Sequence, residues 1–215
     1  MNTITIGIIR EGKVPPDFRV PLTPKQCNEI QTRFPNVKVL VQTSPIRTFK
    51  DEEYQKEGIE IVENLNDCDI IFGVKEVPIS YLIENKTFFF FSHTIKKQPY
   101  NRKLLQAILS KNITLYDHET LVDKDHNRLI GFGYYAGVVG AYNALRTIGK
   151  KWNCFELPMA TTFKDRNELN AALTKITLPA LKIVLTGTGR VGQGAKEVLD
   201  AVNIKQVSVA AFLSQ

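Results

Sequence analysis

Two short segments of this chain are apolar along nearly their whole length, and that feature restricts the fold more than any other. Asp69–Val74 reads Asp-Ile-Ile-Phe-Gly-Val, and Thr87–Phe91 ends in four consecutive phenylalanines. A strand with one face in water alternates apolar and polar residues. An unbroken apolar run belongs to a strand covered on both faces, as in parallel sheets flanked by helices. Around these runs, Ile4–Ile9, Val37–Val41, Ile59–Val62 and Ile113–Tyr116 read as further strands. Between them come helices. Thr23-Pro24 supplies an N-cap and a proline at the first helical position, so a helix should run to about Arg33. Lys50–Lys56 is a short polar helix stopped by Gly58, and Tyr100–Leu109 carries Leu104, Leu105, Ile108 and Leu109 at helical spacing. Strands alternating with helices predict an α/β fold, a Rossmann-like, mostly parallel sheet domain over residues 1–133.

The remainder, 134–215, reads as a connecting helix and the start of a second domain. Tyr134–Ile148 has a face of small residues (Ala136, Gly137, Gly140, Ala141 and Ala144) that suits either close helix packing or a hinge leading onward. Lys151–Leu178 is a connector holding one helix, about Arg166–Lys175. A strand at Leu181–Leu185 then runs into Thr186-Gly187-Thr188-Gly189-Arg190-Val191-Gly192, followed by an amphipathic helix and a strand at Gln206–Phe212. Gly187, Gly189 and Gly192 form G-x-G-x-x-G between strand and helix, the context in which that pattern binds a dinucleotide. One glycine makes the tight turn, the second admits a pyrophosphate close to the backbone, and the third lets helix and strand pack. The helix N-terminus adds N–H groups and partial positive charge. These residues, Gly187, Thr188, Gly189, Arg190, Val191 and Gly192, are the expected cofactor loop. An acid that would read the adenosine ribose is absent from Val209–Ser214, so NAD and NADP both stay open. Arg190 is suited to a phosphate or simply to the surface. A dinucleotide domain needs two βαβαβ halves and this chain supplies part of one. The second domain is thus an incomplete dinucleotide-binding Rossmann domain, expected to bind cofactor weakly by itself, and the chain is expected to be a piece of a longer protein.

Composition excludes several classes. The chain is 43 % hydrophobic and 23 % charged, ordinary for a globular protein, and no stretch approaches the roughly 18 apolar residues of a membrane span. Met1–Ile6 lacks the features of a signal peptide and reads as the first strand. Cys27, Cys68 and Cys154 share no metal-type spacing and suit a reduced, cytoplasmic protein, and the histidines show no ligand pattern, so no metal site is expected. The net charge of +6 is spread without a basic block, which argues against a nucleic-acid partner and suits carboxylate and phosphate ligands.

Four motifs fall at strand ends or in the loops after them, where such sheets place ligands. They are Arg10-Glu11-Gly12-Lys13 through Asp17-Phe18-Arg19-Val20-Pro21-Leu22-Thr23-Pro24; Gly73-Val74-Lys75-Glu76-Val77-Pro78; Ser92-His93-Thr94; and Tyr116-Asp117-His118-Glu119. Together they resemble the alanine dehydrogenase/transhydrogenase N-terminal family, and within it the lysine-forming saccharopine dehydrogenases and lysine–ketoglutarate reductases. Phe90–Asn101, Gly131–Gly137 and Thr186–Gly189 are especially similar to the reductases. The resemblance covers Ile4 to about Ala201.

It implies two α/β domains facing a cleft, an amino acid and a 2-oxo acid as small-molecule partners, and NAD or NADP as cofactor. Lys75 and His93 become the catalytic acid–base pair. Glu76 and Glu119 tune them, and Arg19 holds a substrate carboxylate with its forked guanidinium. Arg10, Gln98 and Arg128 line the same pocket, and Asp17 stands where many members carry Glu. The implied reaction is reductive condensation of lysine with 2-oxoglutarate to saccharopine, or its reverse. Alternatives are alanine dehydrogenase chemistry on pyruvate and ammonia, or a non-catalytic binding module should the 215 residues be the natural product. Whether the protein is a homo-oligomer is left open.

Overall fold

The computed structural model describes residues 3–214. The chain divides into two compact units, Met1–Gly131 and Phe132–Gln215. The first unit runs β1 (Ile4–Ile8), α1 (Pro24–Arg33), β2 (Val37–Gln42), α2 (Asp51–Lys56), β3 (Glu60–Val62), β4 (Ile70–Phe72), β5 (Thr87–Phe90), α3 (Arg102–Ser110) and β6 (Thr114–Asp117). Every strand pairing is parallel, in the order β3-β2-β1-β4-β5-β6. This is a Rossmann-like α/β sheet whose strand order reverses between β1 and β4. α1 begins where its chemistry dictates: the Thr23 hydroxyl accepts the Gln26 N–H, and the Gln26 amide oxygen accepts the Thr23 N–H at 2.9 Å.

Helices cover both faces unevenly. One face packs Leu40, Ile71, Phe88 and Phe90 against Leu104 and Ile108 of α3. The other packs Ile8, Val39 and Val41 against Cys27 of α1 and Tyr54 of α2. The expectation of two fully covered faces holds for only part of the phenylalanine run. Phe88 and Phe90 are buried, whereas Phe72 and Phe89 are half-buried and Tyr116 is exposed. These three rings stack across β4, β5 and β6 at 4.5 and 4.7 Å, shielding one another on the face opposite α3.

The second unit contains α4 (Gly133–Trp152), α5 (Arg166–Leu173), α6 (Arg190–Asp200) and α7 (Val209–Leu213). Val138, Tyr142 and Leu145 of α4 share a core with Leu169 and Leu173 of α5 and Val198 of α6. Of the small residues on α4, Gly137 meets a neighbour: a Cβ there would strike the Val191 carbonyl of α6, whereas nothing lies within 4 Å of one at Gly140. Residues 181–185 and 206–212, expected as strands, form none among the described residues. A strand exists through its ladder, and with no ladder to hold it the backbone returns its N–H and C=O groups to water. Residues 209–213 instead wind into α7, capped by the Ser208 hydroxyl accepting the Ala211 N–H at 3.1 Å. Their alanines favour helix once no neighbouring strand competes. A cavity of about 450 Å³, lined by Ile183, Leu185, Leu199 and Val207, lies beside α6. Among the described residues no helix is long and apolar enough to cross a membrane.

Candidate active site

Because all strands of the first unit run one way, the ends of β1, β4, β5 and β6 share one edge of the sheet. The loops after β1 and β4 flank the point where the strand order reverses, the position at which such sheets open a crevice. The four motifs lie at the ends of β1, β4, β5 and β6 and in the loops after them.

Lys75 and Glu76 follow β4. The Glu76 carboxylate takes the Lys13 amine on one oxygen at 2.6 Å and the His93 Nδ1 on the other at 2.5 Å. Burial disfavours the charge on Glu76, but the hydrogen bonds from Lys13 and His93 outweigh it and hold this carboxyl below its ordinary value. His93 sits in the left-handed region (φ 55°, ψ 10°), uncommon for a residue with a Cβ, immediately after the buried Ser92. With Glu76 on Nδ1, the neutral imidazole carries its proton there and leaves Nε2 as a base. Burial first, then the charges of Arg19 and Lys13, hold the Lys75 amine below the ordinary lysine value. Phe91 is the hub: its ring has Lys75 Nζ at 6.0 Å, the Arg128 guanidinium at 5.9 Å and the His93 ring stacked at 6.2 Å. Lys75, Glu76 and His93 therefore come together as one group, able to give and take protons at one locus.

The remaining residues divide. Arg19 lies close enough to lower the Lys75 pKa, yet its Nε and Nη2 are engaged by Asp17 at 2.9 and 2.5 Å. A substrate carboxylate would share that fork with Asp17. Glu119 meets Lys96 at 3.3 Å and Arg128 at 3.5 Å, and its Oε2 is buried without a hydrogen-bond partner. It belongs to the Phe91 side of the group through Arg128, and its ion pairs are with these cations. The Arg10 guanidinium instead lies 5.6 Å from the Tyr81 ring, and Gln98 is exposed at the start of the 3-10 turn Pro99–Asn101.

In the second unit the glycine loop keeps the turn and the helix start of a phosphate cradle, whereas the strand expected before it does not form. Gly187 has φ 89°, a turn that other residues adopt only with strain. A Cβ on Gly192 would run into the Gly187 carbonyl, its carbon lying 2.9 Å away. Gly189 is the N-cap of α6 and has open space where a Cβ would point. Gly187, Gly189 and Gly192, with the N-terminal N–H groups of α6, are the groups that would hold the phosphates of a dinucleotide.

Residues 7–139 match the family described as alanine dehydrogenase/PNT, N-terminal domain. The chain belongs to that family. It is 34 % identical over 207 residues to the mitochondrial alpha-aminoadipic semialdehyde synthase of Rattus norvegicus, with 88 % of this chain and 22 % of that protein covered. It is 26 % identical over 217 residues to the saccharopine dehydrogenase (NAD(+), L-lysine-forming) of Yarrowia lipolytica, covering 94 % of this chain and 58 % of that protein. The chain therefore corresponds to a part of each relative's length. Among solved structures, an L-alanine dehydrogenase matches with a TM-score of 0.66 at 17 % identity, over 93 % of this chain and 53 % of that one, a likeness of fold.

Within this alanine dehydrogenase/PNT unit, sequence reasoning passed over Glu11, Lys13 and Asp117 as functional groups. Glu11 accepts the backbone N–H groups of Val74 and Lys75 at 2.7 and 2.9 Å. Lys13 completes the Glu76 ion pair, and the buried Asp117 accepts the Ser92 hydroxyl and the Ser92 and Glu119 N–H groups. The available signal was position: each charged residue stands at a strand end or in the loop after it.

Proposed function

We propose that this protein is the substrate-binding part of an NAD(P)-dependent amino-acid dehydrogenase that condenses lysine with 2-oxoglutarate reductively to saccharopine, or runs the reverse. The observation that carries this reading is the Lys13–Glu76–His93 chain of hydrogen bonds beside a Lys75 whose amine is held below its usual pKa. The similarity to a saccharopine dehydrogenase and to alpha-aminoadipic semialdehyde synthases favours the lysine pair over pyruvate and ammonia.

Joining an amine to a keto acid requires protons to leave the amine nitrogen and to reach the oxygen that departs as water. His93, oriented by Glu76, accepts the first at Nε2. Lys75 delivers the second from its ammonium, and its lowered pKa makes that ammonium a stronger acid at neutral pH. Arg19, Lys13 and Lys75 give the locus the positive charge that a dicarboxylate 2-oxo acid calls for. A nicotinamide dinucleotide held at Gly187–Gly192 would supply or accept the hydride at the imine carbon. We place the reaction in the cytoplasm.

The test is oxidation of NADH and of NADPH, followed by absorbance, with protein expressed through its whole natural reading frame. Lysine plus 2-oxoglutarate should give turnover, and Lys75→Met should lower kcat by about 10²–10⁴-fold, the usual worth of a general acid–base group. Turnover with pyruvate and ammonia alone would make it an alanine dehydrogenase. Silence with both pairs would leave a binding module, and undiminished turnover by Lys75→Met would remove that residue from the mechanism.

A further inference from the structure

Lys75 stands on a loop, and loops by themselves hold side chains loosely. Five polar atoms of the main chain of residues 73–75 are nonetheless hydrogen-bonded to neighbouring elements. The Gly73 N–H donates to the Phe89 carbonyl at 2.8 Å, and the Val74 carbonyl accepts the Phe91 N–H at 3.1 Å, which extends the β4–β5 ladder past its end. Two further grips come from side chains. Glu11, in the loop after β1, spends one carboxylate oxygen on each of the Val74 and Lys75 N–H groups, at 2.7 and 2.9 Å. His118, directly after β6, meets the Gly73 carbonyl with Nε2 at 3.1 Å. A carbonyl only accepts, so Nε2 carries the imidazole proton, and Nδ1 is left buried without a partner.

Both grips are costly to build. Burial pushes the Glu11 carboxyl above its ordinary value although two backbone N–H groups oppose it. Burial likewise pushes His118 below its ordinary value, which keeps the ring in the neutral form the geometry requires. Neither side chain belongs to the Lys13–Glu76–His93 chain of hydrogen bonds, and each spends its polar contacts on the backbone next to Lys75.

We propose that Glu11 and His118 are positioning residues that set Lys75 in place by clamping the main chain of residues 73–75 from the loops on either side of β4 and β5. Neither touches a reacting atom. Glu11 anchors the Lys75 amide itself. His118 anchors the carbonyl two residues before it, so the amine is delivered to a partly buried place beside Phe91 and Arg19 rather than to solvent. The carboxylate is specific in this role. Glutamine offers one acceptor oxygen and turns an NH2 donor toward the second N–H, and aspartate is one methylene too short to span both.

The role of Lys75 in turnover rests on the function proposed above, but the clamp is tested on Lys75 itself, without substrate. Competitive acetylation with isotope-labelled acetic anhydride, resolved by peptide mass spectrometry over a range of pH, reads the titration of each lysine. In Glu11→Gln and in His118→Phe the Lys75 titration should move up toward that of an ordinary lysine, because burial is the main cause of its depression. Each unit of rise cuts the free amine about tenfold below the midpoint, so its labelling near pH 8 should fall roughly three- to tenfold. Lys38 and Lys111 serve as internal controls and should not change. A Lys75 profile identical to the parent's in both folded variants overturns the proposal. Should either variant fail to fold, amide exchange in the unsubstituted chain decides: the Val74 and Lys75 amides are protected if Glu11 holds them, and exchange at free-loop rates if the clamp does not exist.

Discussion

One methyl group added at Gly137 and one added at Gly140, three residues apart on α4, should shift stability in opposite directions. At Gly140 the side is open, so Ala brings only its better helix propensity, a gain of about 0.5–1 kcal/mol. At Gly137 a Cβ would sit 2.8 Å from the Val191 carbonyl carbon and 2.9 Å from the Ala195 nitrogen, besides striking the carbonyl oxygen. These are backbone atoms at the start of α6, so no side-chain rotation relieves the clash. The two helices must separate, which opens the core of Val138, Tyr142, Leu145 and Val198. Overpacking of this kind costs about 1–3 kcal/mol, and with backbone on the receiving side the upper half of that range is expected. Subtracting the propensity gain leaves a net loss of about 1–2 kcal/mol for Gly137→Ala. The sole tryptophan, Trp152, ends α4 and reports on this unit by fluorescence. In urea the Gly137→Ala midpoint should fall by about 0.5–1 M while that of Gly140→Ala rises slightly, for a slope of about 2 kcal/mol/M in the middle of the usual range. Equal midpoints for the two variants would refute the close helix crossing.

Two further outcomes follow from the ionisable groups. The Arg19 hydrogen bonds hold the Asp17 carboxyl below its ordinary 3.8, so the stability it contributes is complete above that value and is lost as pH falls through the lower folded value. The urea midpoint, read by circular dichroism, should therefore drop less in Asp17→Asn than in the parent between about pH 5 and pH 2; equal losses would show that the pair adds nothing. Burial pushes the Cys27 thiol to about 12 and Cys68 to about 11, whereas Cys154 is exposed. A disulfide reagent should label Cys154 promptly in the native chain and the other two only after unfolding, and prompt reaction of all three would contradict the buried placements.

Local chemistry explains what is legible in the sequence. Thr23-Pro24 announces a helix start because cap and first turn are neighbours in sequence, and the capping box forms there. The phenylalanine run announces a covered strand because burial is a property of consecutive residues, although the chain could not say that Phe89 and Tyr116 would shield each other instead of meeting a helix. Gly187 announces a tight turn before a helix start and makes one at φ 89°, whereas the strand against which Gly192 was expected to pack does not form. The family motifs brought Lys75, Glu76 and His93 to notice.

What no local pattern carried is which group holds which. Glu11 reaches the Lys75 amide across 64 positions, and His118 reaches Gly73 across 45, because β1, β4, β5 and β6 end on one edge of the sheet. Arg19 was expected to wait for a carboxylate and is found forked on Asp17, a choice made by distance and burial. Residues 181–185 have the composition of a strand without being one, since a ladder is made by a neighbour and never by the segment alone. The amino-acid sequence thus determined the parts whose physics lies within a turn or two of chain: caps, apolar runs and glycine turns. Only the tertiary structure decided the pairings, because hydrogen bonds and ion pairs form between groups that the fold, and not their order in the chain, brings together.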